Sequence, residues 1–142
     1  MQDYYTEHQI DDYFTCESCN KKNKAKVRHN LVKLPKVLVF HIKRFDSSFR
    51  KIEKTTTYPA VLDMEPFCMA NTDEQVRGSP IYRLFALTVH HGTLSGGHYV
   101  AYAKRADGNW YHFNDEYFDM IKESDALKKQ AYLLFYRQDY NY

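Results

Sequence analysis

His98, Asn114 and Asp115 form the grouping in this sequence whose types and spacing best suit proton transfer. His98 follows a double glycine, Gly96-Gly97, at the first turn of an apolar, aromatic run that reads as a strand. A second run, Trp110 to Phe113, ends in the amide of Asn114 and the carboxylate of Asp115. A strand-borne histidine with an Asn or Asp acceptor on the next strand is how a general base is built for a thiol or hydroxyl nucleophile. The acceptor holds one ring N–H and leaves the other nitrogen free to take a proton. Only glycine adopts positive φ cheaply and lets another backbone pass closely, so Gly96 and Gly97 predict a loop that moves or that admits a narrow substrate. Tyr99 and Tyr102 flank the position. The nucleophile itself is missing from this segment.

Three cysteines are available, and none has the surroundings of a nucleophile. Cys16 and Cys19 have the spacing of a zinc knuckle. Tetrahedral structural zinc needs four ligands and one CxxC supplies two, so the site is half complete. His29 is the nearest candidate for a third ligand. Cys68 lies in a proline-broken stretch, MEPFCMA, and reads as a small loop thiol.

The elements that must hold these groups are mostly strands. Tyr82–His90, Gly97–Arg105 and Asn109–Phe113 read as three consecutive strands, with Asp107-Gly108 a tight turn joining the last two. Val37–Ile42 (VLVFHI) reads as a buried strand, Lys54–Tyr58 as a half-exposed one, and Tyr132–Tyr136 as a closing core strand. Phe118–Ile121 predicts another short strand and Glu123–Lys129 a helical turn. Ile10, Tyr13 and Phe14 recur at helical spacing, which predicts a short helix over Tyr4–Phe14 with Asp3 as its cap. Asp63–Pro80 is the longest expected loop.

A length of 142 residues suits one domain. Aromatics make up 16% of the chain, with 13 Tyr and 9 Phe, which favours strands. No apolar run approaches the roughly 20 residues of a membrane span, and the N-terminus has neither the basic nor the apolar region of a secretory signal. Three cysteines do not make a disulfide framework, so a reducing compartment, cytosol or nucleus, is expected. The net charge of +2 hides a basic stretch from Lys21 to Lys54. Such a stretch can meet nucleic acid, or it can be the wet face of strands.

Taken in order, the motifs reach a family. The CxxC at Cys16 and Cys19, LPKVLVFHIKRF from Leu34, Tyr58-Pro59, YRLFAL from Tyr82, His90-His91-Gly92, GGHYVAY from Gly96, the aromatic box from Trp110 to Asp115 and AYLLFY from Ala131 together resemble the C-terminal half of a ubiquitin-specific protease. That family is a group of papain-like thiol peptidases that release ubiquitin. The resemblance implies an α+β, strand-dominated fold made of antiparallel palm and fingers parts, with residues 1–34 as half of a zinc-bearing fingers ribbon and 35–142 as the palm. It implies His98 as the catalytic base, Asn114 as its orienting partner and Asp115 as a supporting group. It also implies that the segment around His90, Gly96, Gly97 and Tyr99 holds the glycine tail of ubiquitin. The family's N-terminal Cys box has no counterpart here, and neither does its second CxxC. The implied partners are therefore ubiquitin, ubiquitinated proteins and a missing N-terminal half of the same enzyme, with the isolated chain nearly inert. Two other readings remain: a ubiquitin-binding or regulatory module that does not cut, and a basic zinc-ribbon binder of nucleic acid.

Overall fold

The structure is a computed structural model and describes residues 2–69 and 79–140. The chain divides into two compact units. One runs up to Leu34 and resumes at Glu65; the other takes Pro35–Met64 and the C-terminal part of the chain.

In the first unit a short helix, α1 (Gln2–Tyr5), precedes two antiparallel strands, β1 (His8–Thr15) and β2 (Lys22–Val27). The helix expected over Tyr4–Phe14 is thus mostly a strand. Its three apolar residues do recur at helical spacing, but Tyr, Phe, Ile and Thr favour strands and Asp11 and Asp12 are poor helix formers. The partner strand decides the outcome. Lys26 Nζ lies 2.8 Å from Glu7 Oε1, and Lys24 Nζ lies 3.6 Å from Asp11 Oδ1. Part of the basic stretch is therefore the wet face of a hairpin, set against acidic neighbours. A 3-10 turn, Glu65–Phe67, returns the chain to this unit, where Leu31 N donates to Phe67 O and Met69 N to Leu31 O.

The second unit is a seven-stranded sheet. Its main path runs β3 (Val37–His41), β9 (Leu133–Gln138), β5 (Ile81–Thr93), β6 (Gly96–Lys104), β7 (Trp110–Asn114), β8 (Tyr117–Ile121), while β4 (Val61–Asp63) pairs with the first residues of β5. All these pairings are antiparallel. A single turn of helix, α2 (Glu123–Ala126), precedes β9. One face of the sheet is the core: Leu87, Val89, Val100, Tyr102, Trp110, Leu134 and Tyr136 are all buried. Expectation and structure part in three places here. Val37–His41 is a sheet edge, with Val37 and Val39 44% and 49% exposed, because its apolar run packs on one side only. The segment expected as a strand over Lys54–Tyr58 has no regular structure. Asp107-Gly108 is part of a longer connection in which Arg105 N donates to Asn109 O and Gly108, at φ +84°, donates to Arg105 O. Part of the long loop expected over Asp63–Pro80 lies outside the described residues.

The irregular segment between β3 and β4 is tied down by side chains, since it lacks a ladder of its own. The buried Arg44 guanidinium donates from Nε and Nη2 to Ala131 O at 3.1 and 3.0 Å, and from Nη1 to Lys54 O at 2.6 Å. Tyr58 donates its hydroxyl to Lys129 O at 2.8 Å, and Tyr136 donates to Pro59 O at 2.7 Å. Desolvation pushes the Tyr58 hydroxyl up to about 12 and raises Tyr136 further still. The folded state therefore holds these protons more tightly than the unfolded chain, whose tyrosines titrate near 10. Their contribution to stability is full below pH 10 and is lost as pH rises toward 12. Urea midpoints measured between pH 9 and 12 should fall, and Tyr58→Phe should flatten that fall.

Candidate active site at His98

The β5–β6 pairing places the base. Its register runs Val89↔Val100, His90↔Tyr99, His91↔His98, Gly92↔Gly97 and Thr93↔Gly96. Gly96 and Gly97 are thus strand residues in a regular ladder, and the turn is the two-residue step Leu94-Ser95. At Gly97 the ladder brings the two backbones close together. A Cβ on Gly97 would overlap the His91 carbonyl oxygen and His90 Nε2, while one on Gly96 would meet open space. Gly92, at φ +116°, would clash with Gly96 O and Gly97 Cα in the same way. The ladder needs glycine at positions 92 and 97.

Side chains alternate along strands, so His98 shares its face with Val100 and Tyr102. Tyr102 stands opposite His112, their rings stacked at 4.6 Å, and Asn114 lies two residues further along β7 on that face. The geometry closes there: His98 Nε2 and Asn114 Oδ1 are 2.6 Å apart. Asn114 Oδ1 can only accept, so Nε2 carries the hydrogen and Nδ1 is left with a lone pair. Asp115 follows at φ +53° in the two-residue loop between Asn114 and Tyr117, a conformation that Asp tolerates better than most residues. Its Oδ2 is 3.9 Å from His98 Nε2, too far for a hydrogen bond. The His98 and Asp115 side chains are 47% and 74% exposed.

His90 sits elsewhere. It points to the other face, buried, with its ring 4.7 Å from Tyr99, 5.8 Å from Phe45 and 5.9 Å from Tyr132. Burial, helped by the positive charge of Lys51, lowers its pKa and keeps it neutral. Lys51 Nζ donates to the His90 carbonyl at 2.7 Å. A cavity of about 150 Å³ opens here, lined by Arg44, Lys51, Glu53, His90, His91 and Tyr132 among others. Sequence reasoning missed Phe45, Lys51 and Tyr132; their only signal was a place in aromatic and basic boxes far from His98 in the chain.

The cysteines belong to the first unit, not to the unit that carries His98. Cys16 and Cys19 are exposed at the tip of the β1–β2 hairpin, where Cys16 N donates to Lys21 O and Asn20, at φ +58°, turns the chain. Backbone N–H groups of Cys19 and Ser18 point at the Cys16 sulfur and lower its pKa. That surrounding suits a metal-bound thiolate. Among the described residues no third His, Cys, Asp or Glu joins them. His29 does not serve, because it lies past the other end of the hairpin, roughly 20 Å along the strands, stacked on Tyr4 at 4.4 Å. Cys68 is half-buried and bridges Leu31.

Comparison with known proteins decides the family. The family model described as ubiquitin carboxyl-terminal hydrolase matches residues 4–136. The chain belongs to the ubiquitin carboxyl-terminal hydrolase family. It is 41% identical over 133 residues to ubiquitin carboxyl-terminal hydrolase 9 of Arabidopsis thaliana, covering 90% of this chain and 14% of that protein. To ubiquitin carboxyl-terminal hydrolase 8 of Saccharomyces cerevisiae it is 34% identical over 148 residues, covering 96% of this chain and 31% of the relative. A chain in a structure of the SAGA Ubp8/Sgf11/Sus1/Sgf73 DUB module superposes with TM-score 0.79 at 33% identity, over 97% of this chain and 32% of its own length. Another, in that module bound to ubiquitin aldehyde, superposes with TM-score 0.74 at 30% identity, over 97% of this chain and 32% of its own length. The chain thus spans less than a third of these relatives.

The Asn114 contact has a direct spectroscopic consequence. In ¹⁵N-detected spectra of the imidazoles, His98 should be in the Nε2–H tautomer when neutral. Asn114→Ala should leave a mixture of tautomers, and an unchanged spectrum would show that Asn114 does not orient the ring.

Proposed function

We propose that this chain supplies the general base of a thiol-dependent deubiquitinase, acting on bonds to the C-terminal glycine of ubiquitin. The observation that carries the reading is the 2.6 Å contact of His98 with Asn114, in a family member whose ring nitrogen Nδ1 is free. His98 Nδ1 would take the proton of a cysteine thiol and later return it to the leaving amine. Asn114 holds the ring through both steps, and Asp115 supports the charged ring. The nucleophilic thiol comes from a segment other than the unit that holds His98. Gly96, Gly97 and Tyr99 border the base in the chain and would line the path of a glycine tail.

The test is a polypeptide that joins this chain to a segment bearing the family's Cys box, reacted with ubiquitin carrying a C-terminal electrophile. Labelling is expected, and His98→Ala should slow it by about a hundredfold or more. Equal rates would overturn the assignment. A second reading, a ubiquitin-binding module without catalysis, is favoured by the absence of a cysteine from the His98 unit. It predicts that the chain alone binds ubiquitin in a calorimetric titration, and a flat titration would end it. Cytoplasm or nucleus follows as the compartment in which such thiols stay reduced.

Zinc is proposed as a structural ion held in part by Cys16 and Cys19, with two further ligands from another segment. In the joined polypeptide one equivalent of zinc should co-purify, and Cys16→Ser should release it, as read by metal analysis.

A further inference from the structure

β8 is the last strand of the main path, and among the described residues nothing pairs with its outer side. The turn at Asp115-Glu116 closes on the opposed pair Asn114 and Tyr117. Antiparallel ladders alternate, so Tyr117, Asp119 and Ile121 turn their backbone groups toward β7, while Phe118 and Met120 turn N–H and C=O outward. Such a row of open groups is a template for one more strand. Edges are commonly blunted by proline, lysine or a bulge. β8 has none of these: its sequence is YFDMI, its register with β7 is unbroken, and Tyr117, Phe118 and Met120 are 77%, 56% and 67% exposed.

Charge narrows what this edge can take. Asp115 and Glu116 lead into the strand, and Asp119 stands at its centre on the face of His98, in a rung with Tyr102 and His112. All three carboxylates are exposed, and among the described residues no Lys or Arg forms an ion pair with them. A second copy of β8 would bring like charges together, which destabilises a strand pair. An extended segment with Lys or Arg at alternate positions would instead complement both the charge and the open backbone groups. At the Ile121 end a cavity of about 490 Å³, lined by Trp110, Met120 and Ile121 among others, can receive an apolar side chain of that segment.

Place identifies the segment. With the glycine tail of ubiquitin arriving along β6 at Gly96 and Gly97, the attached lysine leaves His98 past Asn114 and Tyr117, where β8 begins. A strand added to β8 lies three strand spacings from β6, roughly 14 Å. Four or five extended residues, at roughly 3.3 Å each, cover that distance. We propose that the edge of β8 binds an extended, basic segment of the ubiquitinated protein as an added strand, beside the lysine that is to be released. The identity of that segment rests on the deubiquitinase reading.

The test uses the whole enzyme and ubiquitin joined through its C-terminal glycine to a lysine in synthetic peptides. Neighbouring residues alternate Arg and Val in one peptide and Glu and Val in a second. A third repeats the Arg/Val peptide with alternate backbone nitrogens methylated. The Arg/Val conjugate should show a KM at least fivefold below the other two, and Asp119→Lys should erase its advantage over the Glu/Val conjugate. Equal KM values for the three conjugates would overturn the proposal, and the methylated one decides this without altering the enzyme. As a second measurement, the unconjugated Arg/Val peptide should slow hydrogen exchange at the Phe118 and Met120 amides at least tenfold. Unchanged exchange would overturn the proposal. So would amides already protected without peptide, because another segment or a second copy then fills the edge. Exchange is read without turnover. Slowed exchange in an enzyme inert toward ubiquitin conjugates would refute only the catalytic reading, and unchanged exchange in an active enzyme only the added strand.

Discussion

The close passage of β6 beside β5 at Gly97 is the constraint on which the candidate site rests. His90 packs its ring where a Gly97 side chain would be, and the His91 carbonyl occupies the rest of that space. This fixes the β6 backbone one residue before His98. The imidazole then has little choice: the ladder sets its face, and the face puts Nε2 against Asn114. Precision at an exposed base is thus obtained from a buried neighbour on the opposite side of the sheet. His90 contributes to the site by packing, and its neutrality is part of that role, because a charged ring could not stay buried among Phe45, Tyr99 and Tyr132.

The second unit is asymmetric in a way that bears on function. Its core face is closed by the irregular segment after β3 and by the residues around α2, held through Arg44, Tyr58 and Tyr136. Among the described residues, the other face is covered by that segment only where Phe45 meets His90, although its composition is that of an interior. Sheets of this kind are normally packed on both sides when both faces are apolar.

Much of this was legible in the residues. The strands β5, β6, β7 and β9 are strongly aromatic or β-branched, and their pattern shows it. The pairing of His98 with Asn114 followed from two such strands joined by a short connection. Three features were not legible. The β1 segment carries a helical repeat by coincidence, and only the basic partner strand reveals its pairing. Val37–His41 is apolar on both faces, so its sequence hides that one face is open. The glycines at 96 and 97 looked alike, yet only Gly97 meets a neighbour, and that depends on a ring seven positions earlier.

The edge position of β3 has one more consequence, and it concerns time. Val37 pairs with Arg137, about a hundred residues later, and among the described residues β3 has no other partner strand. At synthesis rates of roughly 5–20 residues per second, the apolar VLVF strand waits about 5 to 20 seconds for its mate. Through that interval it is an unpaired, sticky edge on a growing chain. Newly made protein is therefore most prone to aggregate before β9 leaves the ribosome, whatever the stability of the finished sheet.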